Sequence, residues 1–154
     1  MTLRNRYIIM RHGESEANEL HLIVSNPAVA VKSCGLTERG RSVVLERARE
    51  SGELGRVSLV CSSDFLRAVQ TAEIVRETLG LEPLRISPLL RERCFGSFEG
   101  RSSRHYYDVW EKDAGNPGND AFGVETPRAV RARMLAFVGE CEETCRDQSI
   151  LIVS

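Results

Sequence analysis

Four short segments of almost uniformly apolar residues predict buried β-strands. They cover residues 7–10, 58–61, 84–86 and 150–153. A strand that is covered on both faces has no solvent-facing side, so its sequence does not alternate between apolar and polar positions. The four segments therefore predict a sheet that is covered by other elements.

Apolar residues recur at helical spacing between these segments and predict three longer helices, at 38–50, 65–79 and 127–146. Thr37 and Thr126 are good N-cap residues, Pro127 suits a first helical turn, and Gly80 suits a helix end. Residues 113–123 are rich in Gly, Asn and Pro and predict a loop. Because strands and helices alternate, we expect an α/β fold with a mainly parallel sheet.

The composition limits the classes of function. With 154 residues, of which 42% are hydrophobic and 28% charged, the chain is expected to form one domain over residues 1–154. Its 21 basic and 22 acidic side chains nearly cancel, which argues against nucleic acid and membrane partners. No long apolar run or secretory signal is present, so we expect a cytoplasmic location.

The cysteines and histidines do not predict a metal site. Five cysteines are scattered without a CxxC pair, and we expect reduced thiols. Cys141 and Cys145 share an apolar helical stripe with Met134, which favours core packing. Only His21 and His105 accompany His12, so we expect neither a metal nor another cofactor.

Charged residues follow the first three predicted strands, in segments 11–15, 62–67 and 90–96. The carboxyl ends of parallel strands meet at one edge of a sheet, where ligands of α/β proteins usually bind. Phosphoryl transfer without a metal needs fixed positive donors, a nucleophile and a proton source. Arg11 and Arg67 are candidates for the donors, because guanidinium groups bind phosphate with two hydrogen bonds. An arginine taken alone is more often a solvated surface charge, but the position of each of these two after a buried strand favours a binding role.

His12 is the candidate nucleophile, and its attacking nitrogen must be unprotonated. We expect its other nitrogen to donate to a backbone carbonyl. Gly13 is expected to allow a sharp turn that brings backbone amides toward the anion. Glu92 is the candidate acid, because bound phosphate disfavours an ionised carboxyl group beside it. The alternative is that Glu92 forms an ion pair with Arg91 or Arg93.

Three segments carry a family resemblance. The run IIMRHGESEAN at 8–18 resembles the signature of the histidine phosphatase superfamily, also called phosphoglycerate-mutase-like. CSSDFLRAVQTA at 61–72 and ERCFGSFEG at 92–100 resemble two later segments of that family, in the same order. The resemblance implies a three-layer sandwich with helices on both faces of the sheet. It also implies His12 as phosphorylated nucleophile, Glu92 as acid and base, and Arg11, Arg67 and Asn18 as phosphate-pocket residues.

In the family, a strand like 150–153 is followed after a serine by a second active-site histidine and a glycine. This chain stops at Ser154. We therefore expect that a C-terminal portion is missing, and that the 154-residue form could be inactive. A noncatalytic phosphate-binding or regulatory module is the alternative if the protein truly ends there.

The resemblance favours a phosphatase acting on a small phosphorylated substrate over a mutase. Related mutases carry tyrosine at the position of Phe95, lysine at that of Ser103, and two arginines after the tryptophan at Trp110. A mutase-type phosphotransferase remains the alternative, and a homodimer is left open. Residues 101–123 are expected to form an insertion that selects substrate. Its aromatic side chains at Tyr106 and Tyr107, with Trp110, could contact substrate or pack on the domain.

Overall fold

A four-stranded parallel sheet forms the centre of the protein in a computed structural model that describes residues 3–82, 84–116 and 120–154. The strands lie in the order β1-β4-β2-β3, and all neighbouring pairs are parallel. Their bounds are β1 Arg6–Met10, β2 Leu59–Ser62, β3 Arg85–Ile86 and β4 Ser149–Val153. Each strand end lies within one residue of its predicted position, so the sheet prediction is confirmed.

The helices are α1 Glu16–Glu19, α2 Pro27–Ala30, α3 Glu38–Glu50, α4 Leu66–Leu79, α5 His105–Gly115 and α6 Pro127–Thr144. Thr37 and Thr126 cap α3 and α6 through their hydroxyl groups, and Gly80 ends α4 in a left-handed conformation. Within the described ranges, no helix is long and apolar enough to cross a membrane.

The predicted loop at 113–123 is partly wrong. Helix α5 continues to Gly115, and a 3₁₀ turn covers Ala121–Gly123. Arg93 donates to both carboxylate oxygens of Asp113, at 2.5 and 2.9 Å, and so anchors the last turn of α5 from another segment. Residues 117–119 of the predicted loop lie outside the described residues.

Helices cover both faces of the sheet. Leu151 and Val153 of β4 pack under α3 and α4, whereas Ile150 and Ile152 pack under α6, because successive side chains of a strand point to opposite faces. The packing side chains are Val44, Ala48, Ala68, Ala72 and Val75 on the first face, and Phe137 and Cys141 on the second. This confirms the three-layer expectation and the core position of Cys141.

The described residues do not cover the whole of one edge strand, β1. Ile9 of β1 is 74% exposed. It lies on the same face as Tyr7, where the α6 cluster reaches Tyr7 but does not include Ile9. Among the described residues, the α6 cluster thus reaches Tyr7 and leaves Ile9 accessible to solvent.

The buried carboxylate of Glu142 on α6 binds Arg4 and Asn5, which precede β1. Glu142 accepts hydrogen bonds from the Tyr7 hydroxyl at 2.7 Å, from the backbone N–H of Arg4 at 2.8 Å and from the side-chain amide of Asn5 at 2.9 Å. These donors, with the Tyr7 hydroxyl as the largest cause, lower the pKa of Glu142 from 4.5 to about 2. The ionised form of Glu142 thus stabilises the folded state.

We expect Glu142→Gln to lower the free energy of unfolding near neutral pH, because the ionised acceptor is lost. A carboxyl group with a depressed pKa stabilises the fold above its unfolded value of 4.5, and this contribution disappears as the pH falls toward 2. The difference between wild type and variant should therefore shrink over that range. Urea unfolding followed by circular dichroism measures this difference in free energy. The matched control is Glu143→Gln, at the exposed neighbouring residue. Equal urea midpoints for wild type and Glu142→Gln near neutral pH would contradict the role given to this carboxylate.

Candidate active site

The loops that leave β1 and β2 run on either side of the end of β4. The backbone N–H of His12 donates to the carbonyl of Ser154 at 2.9 Å, and that of Ser63 donates to the carbonyl of Val153 at 3.0 Å. This edge is the one that the sequence predicted for a ligand site. Ser154, after which the resemblance expects a second histidine, thus contacts His12 directly.

The Arg67 guanidinium lies at the centre of the candidate site. Arg67 occupies the first turn of α4, and only 3% of its surface is exposed. Its Nε donates to Nε2 of His12 at 3.0 Å, and its Nη2 donates to a carboxylate oxygen of Glu92 at 2.6 Å and to the carbonyl of Val24 at 3.0 Å. The structure therefore brings together three residues that lie far apart in the sequence.

Two polar atoms at this edge are buried without a hydrogen-bond partner among the described residues. They are Nη1 of Arg67 and the hydroxyl oxygen of Ser63. Buried polar groups are rarely left unpaired, because the loss of hydrogen bonds to water costs free energy. An unpaired guanidinium nitrogen at the end of the sheet is the arrangement expected where an anion binds.

The contacts of His12 determine which ring nitrogen carries its proton. A guanidinium N–H can only donate, so Nε2 of His12 must accept with a lone pair. The proton therefore lies on Nδ1, which donates to the carbonyl of Gly13 at 2.7 Å. Burial, together with the charges of Arg67 and Arg11, lowers the pKa of His12 from 6.5 to about 4. At neutral pH the imidazole is uncharged, with Nε2 unprotonated.

Arg11 and Asn18 lie beside this cluster rather than within it. Both line a cleft of about 580 Å³. Arg11 is exposed and makes no hydrogen bond or ion pair with the described residues, but its charge acts on His12. The side-chain carbonyl of Asn18 accepts from the N–H and the hydroxyl of Ser15, both at 3.0 Å, and closes a capping box at the start of α1. Asn18 thus has a structural role and also borders the cleft.

The alternative ion pairs for Glu92 do not form. Arg91 binds Asp64 at 2.5 and 2.7 Å, and Arg93 binds Asp113 and the carbonyl of Glu125. Each neighbouring arginine thus has other partners, and the carboxylate of Glu92 forms its ion pair with Arg67.

Arg133 of α6 is a residue of this region that the sequence did not predict. Its guanidinium donates to the carbonyls of Leu89 at 2.8 Å, Arg91 at 2.5 Å and Glu92 at 3.2 Å, and forms an ion pair with Glu125. It thereby holds the backbone of the segment that carries Glu92. The signal that could have revealed it is its position four residues before the buried Phe137, on the inward side of a predicted helix.

Gly13 does not have the expected role. Its backbone N–H donates to the hydroxyl of Thr71 at 3.0 Å, so it is not directed to an anion. A Cβ atom at Gly13 would lie 2.6 Å from a methyl carbon of Val44 and 3.2 Å from the carbonyl oxygen of Gly40. The glycine is therefore required by the close packing of this segment on α3.

The family pattern of the Histidine phosphatase superfamily (branch 1) matches residues 7–154, and the chain belongs to that superfamily. It is similar to the adenosylcobalamin/alpha-ribazole phosphatase of Escherichia coli K12, with 31% identity over 160 residues, which cover 97% of this chain and 72% of that protein. It is also similar to the 2,3-bisphosphoglycerate-dependent phosphoglycerate mutase of Parvibaculum lavamentivorans, with 27% identity over 139 residues and 86% of this chain. The chain spans only 62% of the length of that mutase.

Solved structures support the same fold. The phosphoglycerate mutase of Bacillus anthracis superposes with a TM-score of 0.72 at 22% identity, over 96% of this chain and 73% of its own. The phosphoglycerate-mutase-like fold expected from the sequence is thereby confirmed. Both phosphatases and mutases occur among the relatives, so the roles of the individual site residues remain predictions.

We expect the imidazole of His12 to stay uncharged, as the Nδ1–H tautomer, until the pH falls to about 4. Long-range ¹H–¹⁵N NMR spectra over a pH titration measure both properties. Arg11→Gln should raise this pKa, because it removes one of the positive charges that disfavour the imidazolium. Arg104→Gln, at another exposed arginine of the same cleft, is the control and should leave it unchanged. A titration of His12 near its ordinary value of 6.5 would contradict the buried, neutral imidazole.

Proposed function

We propose that this chain forms the phosphoryl-transfer site of a metal-independent phosphatase, which hydrolyses phosphomonoesters through a phosphohistidine at His12. The observation that carries the proposal is the unprotonated Nε2 of His12, held 3.0 Å from a buried guanidinium that also binds Glu92. A nucleophile, a positive donor and a proton-transfer group are thus in contact. The superfamily, whose relatives include a phosphatase, supports the same chemistry.

In the first step, the Nε2 lone pair of His12 attacks phosphorus while the bond to the leaving oxygen breaks. Glu92, in its protonated form, gives its proton to that oxygen. Arg11 and Arg67 donate to the nonbridging oxygens, whose charge they stabilise in the transition state. In the second step, Glu92 removes a proton from the water that attacks the phosphohistidine, and Nε2 leaves as a neutral nitrogen.

Phosphate binding must rearrange the contacts of Arg67. The Arg67 guanidinium donates to the lone pair of Nε2, and that lone pair has to face phosphorus before attack. Phosphate oxygens would replace His12 and Glu92 as acceptors, and the unpaired Nη1 supplies a further donor. Glu92 would then lie beside a negatively charged phosphate and without its contact to Arg67. This change favours the protonated form of Glu92 that the first step needs.

A phosphatase is favoured over a mutase by the residues near the cleft. Phe95, at the position of a tyrosine in related mutases, has no hydroxyl group to offer a substrate. Its ring is buried and packs edge-on against Tyr106, with centroids 4.7 Å apart. Ser103 lines the cleft without the positive charge of the lysine in related mutases. A small phosphorylated substrate is the partner that we propose.

Glu92→Gln should slow phosphate release from alkyl phosphates by roughly 10²–10⁴-fold, because these leaving groups need a proton. The loss with p-nitrophenyl phosphate, which has a good leaving group, should be much smaller. Steady-state kinetics of the complete protein measure the rate loss with each substrate. The control variant is Glu111→Gln, at an exposed residue of α5. Equal losses on the two substrates would assign Glu92 a structural role instead.

Brief mixing of the complete protein with substrate in the presence of EDTA should leave an acid-labile, base-stable phosphate on the peptide that contains His12. Quenched-flow mass spectrometry detects it. His12→Asn should abolish the adduct and turnover, whereas His105→Asn, which replaces a histidine paired with Asp108, should keep both. Robust turnover without an adduct, activity in His12→Asn, or activity that EDTA removes and magnesium restores would each refute this mechanism.

A further inference from the structure

The cleft beside Arg11 combines positive charge with exposed aromatic rings. Its lining includes Arg11 and Asn18 at the candidate site, Ser103 and Arg104 before α5, and Tyr107 and Trp110 on α5. Of the described residues that line it, none is acidic. Such a lining suits a ligand with an anionic group and a planar apolar part.

Tyr106 connects this cleft to the candidate site. It lies close enough for the charges of Glu92, Arg67 and Arg11 to act on its hydroxyl group, whose pKa is raised to about 12, mainly by burial. Its ring packs edge-on against Phe95 and lies nearly parallel to the ring of Trp110, with centroids 5.8 Å apart and an angle of 12°. The ring of Tyr106 thus separates Trp110 from the charged groups of the candidate site.

The rings of Trp110 and Tyr107 are not used to attach α5 to the domain. Trp110 is 53% exposed and Tyr107 is 70% exposed, and the two rings meet at 80° with centroids 5.4 Å apart. Attachment of α5 depends on the buried Val109 and on Tyr106, which pack with Phe95. The expectation of packing is therefore right for Tyr106, whereas the other two rings leave surface open to the cleft.

We propose that this cleft binds the leaving group of the substrate, and that this group carries an aromatic or heteroaromatic ring that stacks against Trp110. The inference rests on the proposed function, because it takes the phosphate to lie at His12 and Arg11. Tyr106 lies between the phosphate site and Trp110, so a spacer such as a sugar must separate the ring from phosphorus. The chemical class is a phosphomonoester of a nucleoside-like alcohol.

The test compares adenosine 5′-monophosphate, ribose 5-phosphate and adenosine, which share a sugar but differ in ring and phosphate. Trp110 is the only tryptophan of this 154-residue sequence, so within it tryptophan emission reports directly on a ring that contacts Trp110. We expect the monophosphate to quench Trp110 emission and to bind about tenfold more tightly than ribose 5-phosphate, a modest value for stacking of a base on an aromatic side chain. Adenosine should bind more weakly than the monophosphate.

Titration calorimetry on variants tests whether the preference for the monophosphate depends on Trp110. Trp110→Ala should bring the affinity for the monophosphate to within about twofold of that for ribose 5-phosphate, because only the stacking contribution is removed. The control is Leu135→Ala, at an exposed α6 residue outside the cleft lining, and it should keep the tenfold preference. Phosphate release is followed with the complete protein and the same variants, so that turnover and binding are judged separately.

Equal affinities for the monophosphate and ribose 5-phosphate would overturn the inference, as would a preference that persists in Trp110→Ala. Adenosine binding as tightly as the monophosphate would also overturn it, because the ring would not be tied to the phosphate site. Ring-dependent binding at Trp110 with no phosphate release from the complete protein would support the inference while refuting the proposed phosphatase. Phosphate release at equal rates from both phosphates, with no effect of Trp110→Ala, would refute the inference and leave the phosphatase standing.

Discussion

The arrangement of the site depends on the burial of one guanidinium group. Arg67 carries a charge that is almost inaccessible to solvent. An unpaired charge in such a place would cost several kcal/mol, so its surroundings must supply acceptors. His12, Glu92 and the carbonyl of Val24 do so, and each comes from a different segment. The folding of α4 against the sheet therefore also fixes the relative positions of the proposed nucleophile and the proposed acid.

Both helical layers contribute to this arrangement. On one face, α4 supplies Arg67, and its Thr71 accepts from the N–H of Gly13 while donating to the carbonyl of Arg67. On the other face, α6 supplies Arg133, which holds the backbone on either side of Glu92. The sheet separates the two layers, and both reach Glu92 past the carboxyl ends of its strands. This explains why the site forms at that edge.

Charge pairing near the site separates structural arginines from those available to a ligand. The Asp64, Asp113 and Glu125 carboxylates bind Arg91, Arg93 and Arg133. Arg11 makes no comparable contact with the described residues, and Arg67 retains an unpaired nitrogen. Arg11 and Arg67 therefore both keep unused donors for the phosphate that we propose, in a chain whose overall charge is close to neutral.

The sequence by itself determined the strands, the three longer helices and the edge of the sheet at which charged residues gather. These features follow from local periodicity, helix caps and the rule that parallel strands end together. The resemblance of three segments also identified His12, Arg67 and Glu92 as a group. Only the tertiary structure decided that Glu92 pairs with Arg67 rather than with its neighbours Arg91 and Arg93.

The tertiary structure likewise decided that Arg133 supports Glu92 and that Gly13 is needed for packing on α3. It also placed Asp113 within α5, where the sequence predicted a loop. Each of these features depends on a contact between segments that are distant along the chain. Local patterns show which side of an element is apolar, but the partner of a buried charge is determined only when the elements pack and bring its possible acceptors within hydrogen-bonding distance.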